Sequence, residues 1–270
     1  MIPVWPWVAF LNNPVRFWIY YGFVIGGFVF ALITLITQLI KPAPYGRFGN
    51  NDNNPNNWGP VIPQRLGHTI SDALPCVVEF LLVYFLYGRN QYHYTNLVFM
   101  ILWQLHYIHR GLIHPWIMRY SSKTTPLGIT LGGLIPNAIF SFINASWISS
   151  ALYYNQYYSD PRFIIGILLF IIGFIINRYA DLKLRNLRRE NQGYVIPSGG
   201  LFNYISCPNY FGEMIEWMGW AVGTFSLGGL AWFCFCCATF IPRARHNHRW
   251  YKERFADYPS QRKALIPFIY

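Results

Sequence analysis

Two carboxylates, Glu213 and Glu216, stand in the apolar stretch CPNYFGEMIEWMGW at residues 207–220. At mid-membrane depth a carboxylate costs about 2.5 to 3.5 kcal/mol on insertion scales, so a partner must offset it. Residues three and four apart share a helix face, which puts Asn209, Glu213 and Glu216 on one stripe. A helix-start acid bonding free backbone donors near Pro208 is the plainer account of Glu213. It does not cover Glu216 or Asn209.

A second stripe lies in NRYADLKLRNLRRE, residues 177–190, where Asn177, Asp181 and Arg188 stack at spacings of four and seven. Taken alone, this segment also reads as a solvated helix whose long basic side chains snorkel. Near it in the expected topology is the basic tail RARHNHRWYKERF, with Arg243, His246 and Tyr251. Arginine and backbone donors bind phosphate, and polar groups that accept from a ribose or an amide would complete a nucleotide site. In WQLHYIHRGLIH, residues 103–114, Trp103, Tyr107, Arg110 and His114 share a face. A tyrosine beside cations in a dry pocket can donate a hydrogen bond to a carbonyl; an interfacial aromatic and basic belt would show the same letters. There is no GxGxxG and no phosphate loop with its lysine. The close histidine pairs, His106 with His109 and His246 with His248, lack the further ligands a zinc or di-iron site wants, so no metal is expected.

The elements that must carry these residues are greasy. The chain has 270 residues, 54% hydrophobic and 11% charged, against about 25% charged for a soluble domain. An all-α integral membrane protein follows. A span needs about 20 mostly apolar residues, and seven candidates occur: 17–40, 73–87, 96–108, 126–154, 161–177, 210–224 and 227–241. The last two require a turn near Ser226, Gly228 and Gly229. With seven spans, Arg16, Arg89 and Arg162 alone fall on the N-terminal side, and every other Lys and Arg falls on the opposite side. By the positive-inside rule that side is cytosolic, with the C-terminal tail, and the N-terminus is outside or lumenal. The net charge of +11 therefore marks topology, and a nucleic-acid partner is not expected. The N-terminus lacks the pattern of a cleaved signal peptide. Residues 49–59, GNNDNNPNNWG, read as a polar loop insertion within one domain spanning 1–270. The five cysteines lie in or beside apolar runs and read as packing residues in a reducing setting.

PSGGLFNYISCPNYFGEMIEWMGWA followed by HRWYKERFADYPSQRKALIPFIY resembles the C-terminal signature of the steroid 5α-reductase family, and NRYADLKLRNLRR resembles its Asn-x-x-x-Asp stretch. LHYIHR and KPAPYGRF are weaker matches. The resemblance implies a seven-helix reductase of the endoplasmic-reticulum membrane that uses NADPH to saturate the carbon-carbon double bond of a 3-oxo-Δ4 steroid or similar lipid enone. Hydride would go to the β carbon while a tyrosine with an acidic partner polarises the carbonyl. Carried over by position, Asn177, Asp181, Arg188, Asn209, Glu213, Arg243, His246 and Tyr251 fall at or beside the nucleotide-contacting positions. Tyr107 falls at the carbonyl-polarising tyrosine and Tyr45 at a substrate-pocket tyrosine.

Four positions depart from the pattern. Ala73 stands where the family has the glutamate of Gln-Glu-Leu-Pro, with Asp72 at the glutamine; Val195 replaces an arginine, and Asn247 a histidine. Asp72, or Glu79 from deeper in the span, is the candidate replacement for the acid. Two other readings remain open from the residues: an S-adenosylmethionine-dependent membrane methyltransferase of the isoprenylcysteine type, and a transporter or scaffold without chemistry.

Overall fold

The computed structural model describes residues 7–8, 13–42, 48, 58–120, 122–191 and 193–270. Tyr45 and residues 49–57 of the Asn-rich stretch lie outside them. Seven helical segments carry the fold among the described residues: α1 (Pro14–Ile40), α2 (Gln64–Tyr87), α3 (Tyr94–Tyr107, continued by a π-helical stretch Ile108–Ile113 and the turn His114–Ile117), α4 (Leu127–Ser150), α5 (Pro161–Glu190), α6 (Pro208–Thr224) and α7 (Leu227–Arg254). Of these, α1, α2, α4, α5 and α7 are long and apolar enough to cross a membrane. The other two fall short for physical reasons. Helix α6 has 17 residues and two glutamates, and α3 is interrupted where it turns basic. Two short antiparallel pairs, Trp7–Val8 with Ala151–Leu152 and Val61–Pro63 with Thr124–Pro126, tie loops together.

Helix starts follow local chemistry. Proline at the first position is preset for a helix and lacks only a donor that would be free anyway; Pro14, Pro161 and Pro208 open α1, α5 and α6. Asn13, Asp160 and Ser226 cap α1, α5 and α7 with a side-chain oxygen. Phe225, at φ 46°, ends α6 in the left-handed region, so the expected break between the last two helices falls there.

Helix α2 contains a π-helical stretch, Leu74–Glu79, that begins just after Ala73. Pro75 has no N–H, which leaves the Ser71 carbonyl without its helical donor. Asn137 of α4 supplies one instead, Nδ2 to O at 2.8 Å. The Pro75 carbonyl accepts from Ser141 Oγ at 2.8 Å, and the Cys76 carbonyl from Trp103 Nε1 at 3.0 Å. The Pro75 carbonyl accepts from the Phe80 N–H as well, so side chains of α3 and α4 bond carbonyls along the irregular turn and fix α2 against both.

Helices α5 and α6 approach through glycine. A Cβ on Gly173 would lie 2.3 Å from the Glu216 nitrogen, and one on Gly219 would lie 2.5 Å from the Phe170 nitrogen. Close backbone contact of this kind holds helices together where lipid removes the hydrophobic drive. The π-helical part of α3 meets α2 similarly: a Cβ on Gly111 would lie 2.8 Å from the Ala73 methyl. At the centre Trp103 is fully buried, with ring centroids 4.9 Å from Phe80, 5.1 Å from Trp220 and 5.4 Å from Trp217.

Candidate active site

The close α5–α6 contact brings the two polar stripes face to face. Asn177 Nδ2 donates to the Asn209 carbonyl at 2.9 Å and to Glu213 Oε2 at 3.2 Å. Asn209 Nδ2 donates to Asp181 Oδ1 at 3.3 Å. All but Asn209 of these four are buried.

Helix α3 closes the cluster with histidines. His106 Nδ1 lies 2.7 Å from Glu216 Oε1, its Nε2 lies 3.9 Å from Glu213 Oε1, and His114 Nε2 lies 3.2 Å from Asp181 Oδ2. Arg178, between the stripes, bonds both Asn177 and His109. Buried acids are therefore offset by imidazole, amide and guanidinium groups. Glu216 and His114 stand on faces that the sequence singled out, without a role assigned to them, whereas His106 and Arg178 were not among the site residues the sequence suggested. The spacing of the histidine pair and the second glutamate was the available signal, but it does not reveal which helix faces which.

Tyr107 follows His106 on α3 and is 3% exposed. Its ring packs at 4.9 Å on Trp103 and 5.8 Å on Trp217, and its hydroxyl lies by the Cys76 thiol. Asp72 is held elsewhere. Its Oδ1 accepts from Ser71 Oγ at 2.8 Å and Asn137 Nδ2 at 3.2 Å, and its Oδ2 faces Arg110 Nε at 3.5 Å. Ala73 packs its methyl on Gly111, and Glu79 is half-buried without a hydrogen bond or ion pair to a described residue.

Among the described residues, the remaining nucleotide candidates make their contacts elsewhere. Arg188 lies at the far end of α5, donating to the Arg119 carbonyl at 2.8 Å. On α7, Arg243 Nε donates to Tyr210 Oη at 3.1 Å, the His246 ring lies 2.9 Å from the Gln38 carbonyl, and Tyr251 stacks on Tyr258 at 5.4 Å.

A cavity of about 340 Å³ lies among α1, α2, α3, α4 and α7. Phe30, Ile129, Pro136 and Phe235 form its apolar wall; His68, Asp72, Arg110 and Asn137 form a polar one. That size suits a small organic ligand, and the mixture of apolar wall and few polar groups is usual for such sites. Tyr107 does not line it.

These features define an integral membrane protein whose chemistry-bearing residues converge inside a helical bundle. Its sequence relations agree. The family described as 3-oxo-5-alpha-steroid 4-dehydrogenase matches residues 123–270. Steroid 5-alpha-reductase DET2 of Arabidopsis thaliana is 38% identical over 265 residues, covering 90% of this chain and 97% of the relative. 3-Oxo-5-alpha-steroid 4-dehydrogenase 1 of Bos taurus is 36% identical over 232 residues, with 84% and 88% covered. The human protein of that name is 38% identical over 177 residues, covering 65% of this chain and 68% of its own. The chain belongs to the 3-oxo-5-alpha-steroid 4-dehydrogenase family, oxidoreductases acting on CH–CH groups.

Proposed function

We propose that this protein reduces the carbon-carbon double bond of a 3-oxo-Δ4 steroid or related lipid enone, with NADPH as reductant. The observation that carries this reading is the buried network of Asn177, Asp181, Asn209, Glu213 and Glu216 with His106 and His114, lying on helices of the segment that resembles the family. The network has unmet polar atoms: among the described residues, Glu216 Oε2 and Arg178 Nε are buried without a hydrogen bond. Unmet polar atoms inside a membrane bundle favour a polar ligand over a structural role alone. Asn177, Asp181, Asn209 and Glu213 would hold the cofactor's amide and ribose groups, and Arg188, Arg243, His246 and Tyr251 its phosphates and adenine end. Bound NADPH would supply the hydride to the β carbon, and a proton from solvent would complete the α carbon.

The protein supplies position and electrostatics. Tyr107 donates its hydroxyl proton in a hydrogen bond to the substrate carbonyl, which stabilises the negative charge that gathers on that oxygen as the β carbon is saturated. Burial among Trp103, Trp217 and Cys76 keeps competing water from the hydroxyl. In this reading all seven helices cross the endoplasmic-reticulum membrane, with the N-terminus lumenal and the nucleotide site and C-terminus cytosolic. Purified protein incubated with NADPH and a panel of steroid and non-steroid enones should yield products heavier by two hydrogens. Tight S-adenosylmethionine binding without NADPH binding would replace this reading with a methyltransferase.

A further inference from the structure

We propose that residues 265–270, with Tyr204 and the lysines Lys252 and Lys263, form a docking face for an anionic bilayer surface. Phe268 and Ile269 enter the headgroup region, and the lysines engage anionic headgroups. This face stands apart from the cavity and from the reductase reading.

Helix α7 sets its depth. From Leu227 to Pro242 the helix carries no charge, and its first charged residue is Arg243. Ala264 and Leu265 are buried at that switch, clustered with Cys207 and Ala244 and packed against Phe211, Met214 and Ile241. Residues 265–270 therefore lie where the apolar length of α7 ends, the depth at which aromatic side chains and lysines gather on membrane proteins.

The face is held in shape. Leu265 and Ile266 both donate their main-chain N–H to the Tyr270 oxygen at 2.7 Å, and the Tyr270 N–H returns to the Ile266 oxygen at 3.0 Å. Inside this turn Phe268 stands at φ 65°, a left-handed conformation that a bulky L-residue rarely adopts. Its ring is turned outward: Phe268 and Ile269 are 78% and 76% exposed, and Phe268 meets the exposed ring of Tyr204 at 5.4 Å. Holding two large apolar side chains against water in a strained turn stabilises nothing. Lipid outside them removes the contradiction.

Charge selects the kind of lipid. Ser206 Oγ gathers His248 Nδ1 at 2.6 Å, Tyr258 Oη at 2.7 Å and the Lys263 carbonyl at 3.1 Å, and the Arg262 guanidinium lies 5.0 Å over the Tyr258 ring. Lys252 follows His248 by one turn of α7, and both lysines are exposed. Arg262 is buried, donates to the Pro197 carbonyl at 3.0 Å, and has no hydrogen bond at Nε among the described residues. None of these three cations forms an ion pair among the described residues. Unpaired cations beside an apolar wedge fit an anionic surface, where each lysine strengthens attachment by about fivefold.

The test is amide hydrogen exchange of the full-length purified protein in nanodiscs of phosphatidylcholine alone and of an equal mixture with phosphatidylserine, read on peptides covering residues 262–270. Exchange there should slow by about fivefold or more when phosphatidylserine is present. Lys252→Gln with Lys263→Gln should abolish that slowing, because the main-chain bonds of Lys263 to Tyr204 and Ser206 remain. Phe268→Ser with Ile269→Ser should speed exchange in both discs; if this variant fails to fold, Ile269→Ser alone reads the same rate. An unchanged rate on adding phosphatidylserine, a slowing that survives loss of both lysines, wild-type exchange in the serine variant, or an equal slowing by inorganic phosphate added to the phosphatidylcholine discs would overturn the proposal.

Discussion

His106 and Glu216 meet at 2.7 Å in the bundle centre, with ring and carboxylate 1% and 0% exposed. They join α3 to α6, and the second carboxylate oxygen has no hydrogen-bond partner among the described residues. Removing one member of such a pair leaves the other polar group buried alone, which costs about 3 to 5 kcal/mol. Glu216→Ala should lower the thermal midpoint in detergent sharply, whereas Glu216→Gln, which keeps a carbonyl acceptor near the ring, should lower it much less. Equal loss in both would assign the effect to charge alone.

Tyr107 and Glu213 separate chemistry from cofactor binding. Tyr107→Phe keeps the ring packing and withdraws the hydroxyl, so enone turnover should fall by about 10² to 10³, the scale for a lost oxyanion donor. NADPH affinity should stay unchanged. Glu213→Ala should do the reverse, weakening NADPH by about tenfold or more for one lost charged hydrogen bond. Titration of NADPH fluorescence with single-turnover kinetics reads both. Wild-type turnover in the first variant, or wild-type affinity in the second, removes that residue from its role.

Two glycines should respond oppositely. At Gly173 even a methyl group would meet the Glu216 nitrogen at 2.3 Å, so Gly173→Ala forces α5 off α6 and separates Asn177 from Glu213. Loss of cofactor binding and a lower midpoint are expected. Gly132 faces open cavity, so Gly132→Leu should fold with an ordinary midpoint and still exclude a bulky steroid. Steroid competition binding on both variants checks the contrast.

Asp160, the α5 cap, carries an acid-dependent contribution. Its carboxylate accepts from the Arg162 guanidinium at 2.7 and 2.9 Å and from the Tyr154 hydroxyl at 2.6 Å. The Arg162 bonds, followed by those from Tyr154, hold it well below the usual carboxylate range. Because the folded state lowers this pKa, the stabilisation is fully present above the unfolded value of about 3.9 and is lost as pH falls from there through the folded value. Asp160→Ala should lower the midpoint at neutral pH by about 2 to 4 °C, as for a lost helix cap. The difference from wild type should shrink below pH 4. A constant difference would mean that the charge contributes nothing.

Much of the architecture was legible because apolar runs and breakers are local signals. The turn at Phe225–Ser226 and the shared faces of Asn177 with Asp181 and of Asn209 with Glu213 follow from spacing alone. The start of α2 was missed, since QRLGHTIS looks polar until its apolar side is packed on α4. Helices α5 and α7 outrun the apolar lengths read from them because their ends are amphipathic. The partners of the acids were illegible for another reason. Nothing in the order of residues says that α3 turns His106 towards Glu216, and the π-helical stretches Leu74–Glu79 and Ile108–Ile113 shift the faces of α2 and α3.

The contact between Ala73 and Gly111 reaches beyond packing. A longer side chain at 73 would begin against the α3 backbone, so placing glutamate there is no simple exchange. An engineer wishing to put an acid at that position must first open a gap on the opposite helix, and the two sites have to be rebuilt together.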